Sequence, residues 1–130
     1  MIDQSLRSLI LAESSVTSLI ASNAVYPQRL PQEVSKPAIV YRVMDGIESL
    51  TAGGVSALRR YQVDLTVFAE KYSEMREITQ ALVALFNGLT AEQSGDLIQG
   101  CRIYNIVNDF EETLQLYSST LDLVLIVKES

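Results

Sequence analysis

The stretch Arg59–Ala69, RRYQVDLTVFA, alternates in side-chain character along its length. Tyr61, Val63, Leu65 and Val67 fall on one side, and Arg60, Gln62, Asp64 and Thr66 on the other. A period of two in β-branched and aromatic residues marks a strand with one buried face. Such a strand needs an apolar layer over one face and leaves the other largely polar.

N-terminal to it, Ala38–Asp45 (AIVYRVMD) is rich in β-branched and aromatic residues and reads as the first strand. Between the two, Gly46–Ala57 (GIESLTAGGVSA) reads as a loop at the tip of a long hairpin. Gly53-Gly54 supplies the positive backbone angles of a tight turn. C-terminal to the alternating strand, Met75, Ile78, Leu82, Leu85 and Phe86 recur at helical spacing. Ser73 is the candidate N-cap there, and Asn87-Gly88 the stop. Thr90–Asp96 reads as a polar turn, Ile98–Asn108 as a strand, Asp109–Thr113 as a turn and Leu114–Val127 as the last strand.

At the N-terminus, Ile2, Leu6, Leu9 and Ile10 predict a helix capped by Asp3. A short second helix carries Val16, Leu19 and Ile20, and Asn23 is placed for a left-handed end. Pro27, Pro31 and Pro37 punctuate the segment that follows, which reads as an extended loop. The order is helix, strand, strand, helix, strand, strand. The expected fold class is α+β: an antiparallel four-stranded sheet, two main helices packed on one face, and a long hairpin loop after the first strand.

Composition bounds the chemistry. The 130 residues fit one domain, 1–130, with a core that needs no staples. The start Met1-Ile2-Asp3 has no basic region before its apolar residues and does not resemble a signal peptide. No stretch is apolar enough to span a membrane, so synthesis in the cytoplasm is the default expectation. Histidine is absent, which removes the commonest general base and metal ligand. Cys101 is the single cysteine, so no intrachain disulfide forms, and as a strand residue it reads as a small buried apolar group. The net charge of −6 lacks the electrostatic footprint of a nucleic-acid or anionic-membrane binder. Gly53-Gly54 is followed by Val55-Ser56-Ala57 and not by the lysine of a phosphate-binding loop. Asp109, Glu111 and Glu112 lack the spacing of a calcium loop. If Asp64 and Asp122 fall on one sheet face they form a carboxylate pair of the kind used in acid–base or metal chemistry, but no third ligand stands at motif spacing, and Arg42 and Arg60 are available ion partners. No catalytic residue, cofactor or metal is expected.

Two features point to recognition of protein. The polar sheet face is interrupted by Val124, Ile126 and Tyr104, which fits either a solvent face or a subunit interface. The hairpin tip carries Ile47, Leu50, Val55 and Leu58, which either fold back on the core or meet a neighbouring subunit. With Arg60, Asp64 and Asp122, these residues are the candidate subunit contacts.

The motifs then add up to a resemblance. Val25-Tyr26-Pro27, Pro31-Gln32, Lys36-Pro37-Ala38-Ile39-Val40-Tyr41, Arg59-Arg60-Tyr61-Gln62-Val63-Asp64, Phe68-Ala69, Tyr72, Glu74-Met75 and Thr120-Leu121-Asp122-Leu123 occur in this order. Together, from about Ile2 to Val127, they resemble the tail-completion family of long-tailed bacteriophages, the tail terminator or head–tail joining proteins. The chain departs from the family in having Phe68 without a nearby tryptophan. The resemblance implies a structural, non-enzymatic subunit of the virion, at the head-proximal end of the tail. It would form a ring, typically a hexamer, that caps the tail tube and meets the head connector or stopper protein. DNA would pass through the lumen without sequence-specific binding, which an acidic subunit favours. The competing readings are a small ligand-binding or regulatory α+β domain, and a hydrolase or nuclease using Asp64 and Asp122.

Overall fold

The alternating stretch is the structural axis of the molecule, which we describe from a computed structural model covering residues 2–44, 49–51, 57–93 and 95–128. It forms β4 (Ala57–Ala69), flanked on one side by β2 (Ala38–Met44) and on the other by β7 (Leu116–Lys128). Beyond β7 lies β6 (Asp96–Glu111), and beyond β6 the short β5 (Ala91–Gln93). On the opposite side, β1 (Val25–Pro27) pairs parallel to β2. The six strands run in the order β1-β2-β4-β7-β6-β5, and β3 (Ser49–Thr51) pairs with β4 off this path.

The helices are α1 (Ile2–Ala12), α2 (Ser14–Thr17) and α3 (Tyr72–Phe86). They bury Ile2, Leu6, Ile10, Val16, Met75, Ile78, Leu82 and Phe86 in one cluster with the odd-numbered side chains of β4 and β7. Tyr61, Val63, Leu65 and Val67 therefore point into the core, as do Leu121, Leu123, Leu125 and Val127. Burying a Leu or Ile side chain contributes about 1.5–3 kcal/mol, and this double row supplies the sheet side of that core.

The expected antiparallel four-stranded sheet with two helices is overturned. The sheet is larger and mixed, it curves into a half-barrel, and three helices accompany it. The reason is the short strands. β1 lies in the proline-marked segment, and Pro27 is tolerated because it closes a three-residue edge strand. β5 lies in the stretch read as a polar turn, and β3 in the stretch read as a loop. Three residues are too few to show a periodicity, and pairing with a long neighbour decides them.

Boundaries shift as well. Asp3 lies inside α1, whose first residue is Ile2, and Ser73 lies inside α3, whose N-cap is Lys71 with no side-chain cap bond. β6 continues through Asp109 to Glu111, so the turn before β7 is displaced toward the C-terminus. Asn23 does adopt a left-handed φ of 54°, and Gly88 ends α3 with φ 79°. The double glycine at 53–54 lies outside the described residues.

One polar contact ties the ends of the fold together. The Ser5 hydroxyl of α1 sits 2.9 Å from the Asp96 carboxylate and 2.8 Å from the Gln93 carbonyl. Ser5 and Asp96 are both buried. This polar knot fixes α1 against the β5–β6 turn.

Candidate assembly interface

The even-numbered residues of β4 and β7 point away from the helices and build the second face of the sheet. Strand register arranges them in rows. One row runs Arg42–Asp64–Asp122–Asn105 across β2, β4, β7 and β6. Another runs Met44–Gln62–Val124–Arg102, and Arg60, Ile126 and Gly100 form a third. On the far side of the carboxylate row, the Thr66 and Thr120 hydroxyls lie 3.2 Å apart.

The third row and, from the second, Gln62, Val124 and Arg102 line a concavity of about 610 Å³, whose walls also include Tyr104. Its charged lining residues, Arg60 and Arg102, are both arginines, while Val124 and Ile126 supply an apolar floor. Mixed apolar and arginine surface is the composition found at subunit contacts.

The carboxylate row has its own electrostatics. Asp64 and Asp122 are direct register partners. The Asp64 carboxyl is pushed up from its ordinary 3.8 to about 6, by burial first, then by the hydrogen bond with Asp122 and the charge of Asp122, against the opposing pull of Arg42. Two carboxylates side by side share a proton more readily than they hold two charges. The Asn105 amide donates to Asp122 at 3.2 Å and occupies one of its oxygens.

Cys101 lines the same concavity from below. Burial pushes its thiol up to about 12, so it stays protonated at neutral pH and is a poor nucleophile. Among the described residues, no group of three or more Cys, Asp or Glu side chains is arranged to hold a metal ion. Among the described residues, no helix is long and apolar enough to cross a membrane.

Six of the residues marked in the sequence thus meet on one face: Arg60, Asp64, Tyr104, Asp122, Val124 and Ile126. Leu58 lies at the start of the same face, half-buried, paired by register with Leu50 of β3. Ile47 and Val55 lie outside the described residues. Sequence reasoning missed Gln62 and Arg102 as partners in this surface. Gln62 was legible in the alternation of β4. Arg102 was not, because β6 shifts register between Ile98 and Gly100 and again between Ile103 and Asn105. Each bulge moves the residues after it to the opposite face, so a period of two fails along this strand.

Also missed was the strip of β6 beyond the second bulge. Ile106, Val107 and Phe110 are 40%, 51% and 38% exposed, and Tyr104 at the bulge is 51% exposed.

Comparison with known proteins gives a consistent picture. The chain is similar to a chain in the virion of a native gene transfer agent particle, with a TM-score of 0.74 at 13% identity, covering 96% of this chain and 92% of that one. A second solved structure aligns with a TM-score of 0.52 at 18% identity, covering 99% of this chain and 92% of that one. At these identities the likeness speaks for the fold. No curated protein matches. The profile of the family described as tail completion protein gp17 matches residues 4–128, nearly the whole chain. The chain belongs to this tail completion family, and its role is a structural one in the assembly of a phage-type tail.

Proposed function

We propose that this chain is a tail terminator: a virion subunit, one domain over residues 1–130, that assembles into a ring, typically a hexamer. The ring caps the tail tube and joins it to the head connector or stopper protein. DNA passes through its lumen without sequence-specific contact, as suits a subunit of net charge −6. It performs no catalysis and needs no cofactor.

The observation that carries this reading is the family match over residues 4–128. The second sheet face supports it, because apolar Val124 and Ile126 beside Arg60 and Arg102 form a surface suited to burial against another protein. A fold shared with a chain of a phage-like virion particle points the same way.

The test is electron microscopy of particles made after deletion of this gene from its parent phage or prophage. Filled heads beside unattached tails of irregular length are the expected result. Normal infectious virions would overturn the proposal.

One observation favours a second reading. The concavity has the size of a small-molecule site. A ligand-binding role predicts a thermal-shift response to small anions that is lost in Arg102→Ala; the tail-terminator role predicts none.

A further inference from the structure

We propose that the free edge of β6, from Ile106 to Glu111, is the surface with which one copy of this chain docks into the arginine-lined concavity of the next copy. The inference rests on the ring reading above and names the two surfaces that would close the ring.

The first observation is an open edge. β6 pairs with β7 along nearly its whole length. On its other side β5 covers only Asp96–Ile98, and the Gly88 amide donates to the Cys101 carbonyl at 2.9 Å. Beyond Cys101, no other described element pairs with that side of the strand, and within the strand the Phe110 amide donates to the Asp109 carboxylate at 2.8 Å. A long strand edge is a template for association, which proteins usually blunt with proline, short length or a cover. Here no proline interrupts residues 102–111; Val107 stands exposed on the face of the concavity, while Ile106 and Phe110 stand exposed on the helix face, where Phe110 packs edge-on to Tyr117. An edge of this kind is managed by burying it in an assembly.

The second observation is charge. The edge and its turn carry Asp109, Glu111 and Glu112, and no Lys or Arg occurs from residue 103 to residue 127. The concavity carries Arg60 and Arg102 and no acidic lining residue. On the face of the concavity the strand presents Val107, Asp109 and Glu111, an acidic strip with an apolar side chain that complements a basic hollow with an apolar floor.

The third observation is distance. Arg102 and Asp109 lie on the same strand seven positions apart, about 23 Å at the rise of an extended chain. The acidic end of the edge therefore does not reach its own concavity. The contact joins two different patches on two copies; repeated head to tail it is a heterologous interface, the kind that closes into a ring when the rotation fits.

The test uses charge reversal in the full chain, supplied to the gene-deleted phage or prophage and read as infectious-particle yield. An edge variant carries Asp109→Lys with Glu111→Lys. A face variant carries Arg60→Glu with Arg102→Glu. A third variant carries all four. A parallel set with only Asp109→Lys and Arg102→Glu, both at exposed positions, guards against loss of folding and is checked by thermal melting. Each of the edge and face variants is expected to cut the yield about tenfold or more, and the combined variant to recover most of it. Recovery of that kind requires the two patches to meet. A combined variant no better than the poorer of its parents, or an edge variant with the parent's yield, overturns the docking proposal while the tail-terminator reading stands. Full yield from the deletion itself overturns both.

Discussion

Asp64 on β4 and Asp122 on β7 stand directly opposite each other on the face of the sheet that carries no helices. Arg42 flanks the first and Asn105 holds the second. Burial first, and then the hydrogen bond and charge of Asp122, leave Asp64 with a proton affinity well above that of a solvated aspartate.

The pair makes stability depend on pH in a defined direction. The folded chain holds the Asp64 proton up to about pH 6, whereas the unfolded chain releases it near 3.8. Folding takes up a proton in this window, so the contribution of Asp64 is fully present below the unfolded value and is lost as pH rises through 6. Asp64→Asn removes the effect. Melting curves from pH 4 to 8 should show the variant gaining on the parent as pH rises, by about 1 kcal/mol at pH 7, the scale of like charges on opposed strands. A constant difference across that range would count against the shared proton.

Leu123 is fully buried in β7, at the middle of the double row of core side chains. Leu123→Ala should cost about 2–5 kcal/mol of folding stability, combining lost burial with the cavity left behind. Chemical denaturation measures it, and a loss below 1 kcal/mol would mean the helices do not close over that face as described.

Ser5→Ala removes a hydroxyl from the buried contact that joins α1 to Asp96 and Gln93. Leaving a buried acceptor short of a donor costs about 1–3 kcal/mol. Hydrogen exchange should also show faster opening of α1 relative to β4, whereas uniform opening would indicate that Ser5 does not tether this helix in particular.

Cys101 should resist alkylation at pH 8 in the folded chain and react readily in denaturant, because burial holds the thiol at about 12. Mass spectrometry after iodoacetamide treatment reads both states. Fast labelling of the folded protein would mean that Cys101 is not buried beneath the concavity as described.

How much was legible follows strand by strand. The period of two in β4 and β7 announces which side chains enter the core and puts Asp122, Val124 and Ile126 on one face of β7, while register alone sets Asp64 beside Asp122. The motif order from Val25 to Leu123 carried the family. The bulged β6 hid Arg102, and its exposed apolar residues had no sequence signature, since Ile106, Val107 and Phe110 look like core residues until pairing shows which side of the strand is bare.

Local periodicity was determined by the sequence itself, because alternation along a long strand and spacing along a helix depend only on near neighbours. The missing histidine and the single cysteine are likewise read from the sequence itself. The short strands β1, β3 and β5, the parallel pairing of β1 with β2, and the concavity were decided by tertiary structure alone. Three-residue strands exist only because a partner supplies their hydrogen bonds. A surface built from rows across four strands comes into being only when register brings distant residues side by side.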